Sequence, residues 1–395
     1  MSMTGRERVL TALGHEEPDR VPIVIGACNP TGMKARPYRA LQTRLDGTAP
    51  ALAPVRYLYD WPELGTVLPD ETVLQALHSD VRGVHDRFPA ATYAANAHRP
   101  PGAPYLNDWG GQSTEVEPGV WFQTHHPLAE METVAELEAY PHWPDMHDPS
   151  RVAHLPELAQ RLAAENQYAI MGTPWLLSPF ERAIDMQGME RLLTLMSANP
   201  DYVQALLSRI TSYCKTLMGH FLAACGDNLD IIGISDDLGT ERSLLISPRM
   251  YRRILKPVHA DFIAFIKAHT RARVFLHTDG DVFDVLDDLV EIGVDILNPI
   301  QTSAGKMANL PELKRRYGKN LVFCGAIDSQ RILPYGTPAD VRQEVRRVID
   351  LLGPGGGYML AAVHTIMPEV PAENILAMAD AAVEFGRYPL ARRTG

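Results

Sequence analysis

From about residue 165 onward, short apolar runs alternate with longer stretches of helical periodicity, and that alternation limits the possible folds more than any other feature of the chain. The runs are 168–172, 229–234, 273–276, 295–298, 321–324 and 358–361. Between them, stretches such as 282–292 and 340–352 repeat apolar residues at three- and four-residue steps. Strands this short and apolar must be buried on both faces, and the intervening helices supply the cover, so the pattern predicts a parallel sheet. A closed barrel and an open doubly wound sheet both satisfy it. Nearly every run, however, ends in a polar or glycine-containing cluster: Gly172-Thr173-Pro174-Trp175, Ser235-Asp236-Asp237, His277-Thr278-Asp279-Gly280, Asn298-Pro299-Ile300-Gln301, Gly325-Ala326-Ile327-Asp328 and His364-Thr365. In a barrel such ends converge on one mouth, where barrel enzymes keep their chemistry. In an open sheet only those beside the switch point would meet. The expectation is an α/β chain forming one (β/α) barrel over residues 1–395.

The N-terminal part is less regular. Arg6-Glu7-Arg8-Val9-Leu10 reads as a short helix, Pro18-Asp19-Arg20 as its break, and 21–26 as a buried strand. Residues 27–150 are rich in Pro, Gly and aromatics, with turn signals at Asp108-Trp109-Gly110-Gly111 and Glu117-Pro118-Gly119. They are expected to form an irregular, partly β-hairpin insertion covering one end of the barrel.

Composition excludes several classes. The net charge is −11 and no Lys/Arg-rich block occurs, so nucleic acid is not an expected partner. The four cysteines form no C-x-x-C pair, which argues against a disulfide scaffold or a Cys-only zinc site. No apolar leader or membrane-length apolar run is seen, so a cytoplasmic protein without membrane contact is expected. There is no G-x-G-x-x-G after the first strand and no Walker A sequence, and Gly355-Gly356-Gly357 precedes a strand, as a turn does.

The strand ends hold the candidate chemistry. His277 and Asp279 flank one residue just after a strand, where alternate side chains point the same way. His364 ends the last strand. Two imidazoles and a carboxylate suit an open zinc site; equally, His277 suits a loop hydrogen bond and Asp279 a helix cap. Asp236 and Asp237 suit an acid–base pair or a turn. Asp80 suits a structural role better than a catalytic one. Trp175 stands where it would wall the mouth or enter the core, and Gln301 ends another strand at the same rim.

At these residues the chain resembles the uroporphyrinogen decarboxylase superfamily, which also contains corrinoid-dependent methyltransferases. The resemblance rests on Arg6-Glu7-Arg8-Val9-Leu10 with Glu17-Pro18-Asp19-Arg20-Val21-Pro22, on Gly172-Thr173-Pro174-Trp175, on Ile246-Ser247-Pro248 with Lys256-Pro257, and on Gly336-Thr337-Pro338-Ala339-Asp340-Val341. The closing Gly356-Gly357-Tyr358 with Pro371-Ala372-Glu373-Asn374-Ile375 completes it. It implies a distorted TIM barrel, a homodimer in many members, and Asp80 at the position of the decarboxylases' pyrrole-binding aspartate. Phe180 stands where those enzymes have a tyrosine, and their Arg-Gln-Ala-Gly-Arg segment is absent. The superfamily's methyltransferases hold zinc with His-x-Cys and a later Cys; here His277 matches, while Asp279 and His364 replace the thiols.

A harder donor set suits an oxygen ligand better than a thiol. The implied function is a metal-dependent methyltransferase or demethylase. It would move methyl between a small methoxy-type substrate, lined by Trp175, Phe180 and Gln301, and a corrinoid carried by a partner protein. The corrinoid would come in trans because no Asp-x-His-x-x-Gly signature is present. The alternative is a cofactor-free decarboxylase (a lyase), with Asp80 stabilising a developing cation and His364 moving a proton.

Overall fold

The computed structural model describes residues 3–46, 55–100, 102–117, 120–174 and 177–390. Its main sheet has seven parallel strands, ordered as β1 (Val81–Val84), β5 (Ala169–Gly172), β6 (Ile231–Ser235), β7 (Arg273–His277), β8 (Ile296–Asn298), β9 (Val322–Ile327) and β10 (Tyr358–Ala362). The remaining strands, β2 (Tyr105–Leu106), β3 (Gln112–Glu117) and β4 (Val120–His125), form a separate antiparallel sheet.

Residues 21–25 close the barrel as its eighth stave. The Val24 amide donates to the Leu360 carbonyl and the Leu360 amide to that of Pro22, both at 2.8 Å, while the Asp80 amide donates to Ile23 at 2.9 Å. The segment therefore lies between β10 and β1, and the chain forms the barrel that its strand-end pattern favours, distorted as the resemblance implies.

Alternation along the strands separates two apolar cores. Val81, Met171, Ile231, Phe275, Val322 and Met359 belong to a small cluster inside the barrel. Their neighbours Ile170, Ile232, Val274, Leu276, Phe323 and Leu360 face outward into a much larger layer beneath the helices. Val9 and Leu13, from the capped helix Gly5–Leu13, join the inner cluster and plug the end of the barrel where the strands begin. That leaves the other end, where the strands stop, for the polar clusters.

One expectation about the N-terminal region changes. Strand β1 lies within 27–150, so this stretch supplies one stave of the barrel as well as its cover. Its run is too short for alternation to be read, and Arg82 and Gly83 interrupt the apolar pattern. The expected hairpin region is the β2–β3–β4 sheet. Trp109, from the turn before β3, packs against Tyr213 on the long helix Pro200–Cys225, ring centres 5.8 Å apart. The turn assigned to Pro118 and Gly119 lies outside the described residues. Among the described residues, no helix is long and apolar enough to cross a membrane.

Candidate active site at the barrel mouth

His277 is the last residue of β7 and continues the inward direction of Phe275, so its ring enters the mouth. Asn298 ends the adjacent β8 on the same side, and its Oδ1 accepts from His277 Nδ1 at 2.7 Å. The Asn298 amide group also donates to the Cys324 carbonyl at 3.2 Å. The proton on Nδ1 is thereby fixed, and Nε2 is directed into the mouth.

The chain then turns sharply. Gly280 has φ +89°, and a Cβ there would lie 2.4 Å from the Gly239 carbonyl carbon, so the loop after β7 touches the loop after β6 backbone to backbone. Gln301 Oε1 accepts from the Gly280 amide, and Asp237 Oδ1 from the Asp279 amide, both at 2.8 Å. These contacts hold the Asp279 carboxylate against both imidazoles. Its Oδ2 lies 3.7 Å from His277 Nε2 and 3.8 Å from His364 Nε2. The three donors lie within 4.8 Å of one another. Metal–ligand bonds of about 2.0–2.1 Å in a tetrahedron put ligand atoms roughly 3.3 Å apart, so the carboxylate–imidazole pairs would close by about half an ångström and the widest pair by up to about 1.5 Å. Two imidazoles, one carboxylate, a hydrogen bond fixing one ring and an open side fit a divalent ion such as zinc.

Electrostatics point the same way. Burial opposes protonation of His277, but Asp279, Asp237 and Asn298 outweigh it and lift the ring to about 9. Burial, together with the positive His277, pushes His364 down to about 4. Burial opposes ionisation of Asp279, and the two histidines overcome this and lower its carboxyl below the usual range. Without a metal, a proton on His277 takes the place a cation would have.

The cluster divides two spaces. An inner cavity of about 170 Å³ is bordered by Cys28, Tyr59, Glu181, Asp237, Phe275 and the two histidines. An outer groove of about 570 Å³ is bordered by Glu241, Asp279, Gln301, Gln330, His364 and Met367.

The other sequence candidates fall in different places. Asp237 continues the inward direction of Ile231, Gly233 and Ser235 and reaches the inner cavity. Asp236 points outward. Its carboxylate accepts the amides of Phe180 and Glu181 at 3.0 and 2.8 Å and His259 Nε2 at 2.9 Å, so it caps the helix Pro179–Gln187 instead of facing substrate. Phe180 is fully buried in the outer layer and is not a cavity wall. Gln301 borders the groove and holds the Gly280 loop. Trp175 lies outside the described residues.

Asp80 precedes β1 and therefore sits at the plugged end, opposite the mouth. It accepts from Arg8 at 2.6 Å, from Arg20 at 2.8 Å and from the Ile23 amide at 2.8 Å, an ion-pair centre that locks the closing segment. The residues that follow β1 at the mouth are His85 and Asp86, both buried.

Glu181 is the site residue that the sequence did not reveal. A glutamate in the first turn of a helix looks like an ordinary helix-end charge. Here the Asp236 cap turns it into the inner cavity, where Ser235 Oγ donates to it at 2.9 Å. Burial, with Asp237 and Asp236 adding to it, raises its carboxyl well above the usual range. Burial raises Asp237 too, with Asp279 adding to the effect and His277 opposing it.

A closed barrel with a metal-competent cluster at the mouth defines a member of the (β/α)8 enzymes. Residues 111–385 match the family described as uroporphyrinogen decarboxylase (URO-D), and the chain belongs to that family. It is 23% identical over 219 residues to the uroporphyrinogen decarboxylase of Methylococcus capsulatus, a match covering 54% of this chain and 58% of that one. The chain thus spans little more than half the length of such curated relatives. With the corresponding protein of Alkalilimnicola ehrlichii it is 24% identical over 400 residues, 98% of this chain and 96% of the other. A solved methyltransferase from Methanosarcina mazei superposes with a TM-score of 0.64 at 18% identity, covering 97% of this chain and 99% of that one, and shares the fold.

Proposed function

We propose that this protein is a metal-dependent methyltransferase, moving a methyl group between a small methoxy-type substrate and a corrinoid carried by a partner protein. The observation that carries this reading is the His277, Asp279 and His364 cluster, set between an inner cavity and an outer groove. A zinc ion held there would supply Lewis acidity toward an ether oxygen. His277, with its ring held by Asn298, would present Nε2 to that ion, and Asp279 would be kept in reach by Asp237 and Gln301. The inner cavity would enclose the substrate, and the open groove offers the larger partner an approach.

Decarboxylation of a porphyrinogen fits less well. A tetrapyrrole with eight carboxylates needs arginines. No Lys or Arg lines the inner cavity among the described residues.

Elemental analysis of the purified protein tests the reading first. About one equivalent of metal is expected, falling at least tenfold in His277→Ala and His364→Ala, with methyl transfer to an added corrinoid protein lost in both. A folded, metal-free and active protein would overturn it. Asp80→Asn lowers the unfolding temperature while leaving turnover per folded molecule unchanged; loss of turnover at full stability would restore the decarboxylase reading.

A further inference from the structure

Tyr59 borders the inner cavity from the side opposite the metal-competent cluster. Its hydroxyl donates to the Thr173 carbonyl at 3.2 Å, and its ring meets the His85 ring edge-on, centres 5.3 Å apart. His85 and Thr173 follow the neighbouring strands β1 and β5, whereas His277 and His364 stand at the ends of β7 and β10. With β6 between β5 and β7, and the closing segment between β10 and β1, the two groups face each other across the mouth.

The backbone that carries Tyr59 is strained. Tyr59 and Asp60 are both left-handed, at φ +58° and +53°, a conformation that residues with a Cβ adopt rarely and then singly. The Tyr93 hydroxyl donates to the Tyr59 carbonyl at 2.7 Å, and Arg87 pairs with Asp60 at 2.8 Å. Leu58 and Phe88 pack with Tyr59 in a small apolar cluster separate from both barrel cores. Such strain persists only where the surroundings over-determine it, and strained residues gather at ligand sites. The Tyr59 hydroxyl is turned to Thr173, and Thr173 Oγ1 lies 2.6 Å from His85 Nδ1. What Tyr59 presents to the cavity is therefore the body of its ring.

We propose that Tyr59 is a specificity-determining residue, a fixed wall that limits how long a methyl ether the inner cavity accepts. The ether rests on the methyl-transfer reading; the limit on length follows from the wall. A substrate whose ether oxygen lies at the cluster extends away from it across the cavity, and its far end meets the Tyr59 ring. A short alkyl end fits before the ring. A longer one runs into a side chain that is itself buried and backed by Leu58 and Phe88.

Straight-chain methyl ethers from methoxypropane to methoxyheptane measure that limit. Their binding is followed by ligand-detected NMR on the full chain, both zinc-loaded and metal-free. Affinity is expected to rise about fourfold with each methylene that the cavity buries, then to fall beyond one chain length. Tyr59→Ala should move this turning point to a longer ether and raise the affinity of the longest by about tenfold or more. Tyr59→Leu should move it in the same direction by less. Affinity that rises through the whole series in the unaltered protein overturns the proposal, because the chain then extends into the outer groove. A turning point unmoved in both variants overturns it too. So does a uniform loss of every ether in both, which would make Tyr59 a matter of folding alone. If the turning point moves as expected but no methyl leaves any ether, the proposed reaction fails and the wall stands.

Discussion

Neighbouring residues at the mouth have opposite tasks, and a step of one residue along the chain decides which. Asp236 faces outward and caps a helix; Asp237 faces inward and lines the cavity. The sequence shows the pair but not its direction, because direction follows from strand register, and register follows from which face each residue buries. Asp80 shows the converse. The motif is legible, yet the strand begins after it, so the carboxylate falls at the plugged end. His85 provides a test at this scale. Its Nδ1 lies 2.6 Å from Thr173 Oγ1, and burial lowers its pKa to about 4 from an unfolded value near 6.5. The folded protein binds this proton less readily than the unfolded chain. Stability from neutral His85 is therefore complete above about pH 6.5 and falls as pH drops toward 4, by roughly 3 kcal/mol. Denaturant unfolding at several pH values should show that slope, and His85→Gln should flatten it.

Among the elements, strands were easier to read than loops. The runs at 273–276 and 358–361 fall within one residue of β7 and β10, because a strand buried on both faces must be apolar along its length. The loops are fixed by contacts between segments distant in sequence, such as Gly280 against Gly239, and these leave no periodic trace. The three metal-competent residues were legible as strand-end polar groups; the distances that bring them together were not. Gly280→Ala tests how tightly the loop is held. The substitution places a Cβ against backbone and forces an L residue to φ +89°, whereas Gly355, at φ +78°, has open space around it. Gly355→Ala should cost about 1 kcal/mol. Gly280→Ala should cost more and also weaken zinc binding at least tenfold, a difference that zinc titration and thermal unfolding would both register. Equal behaviour of the two variants would mean that the close approach is unimportant.

For the molecule as a whole, one fold must serve both stability and a charged mouth. Burial of titratable groups at the rim opposes folding unless something binds there. A cation on the cluster should therefore stabilise the whole chain. Zinc at a thousandfold excess over its dissociation constant should add about 4 kcal/mol, seen as a rise of several degrees in thermal unfolding that is absent in His277→Ala. An unchanged melting curve, with metal shown to be bound, would mean that zinc binds the unfolded chain as well.

The seam of the barrel bears on how the protein is made. Val24 pairs with Leu360, so this stave meets its neighbour β10 only after the long stretch between them has left the ribosome. At about 5–20 residues per second, the opening segment waits on the order of tens of seconds for its neighbour. During that delay Val21, Ile23 and Ile25, all fully buried in the finished protein, have nowhere to dock on one side. The nascent segment 21–25 is thus an exposed apolar strand, open to chaperone capture or to pairing with a neighbouring chain until residue 360 emerges.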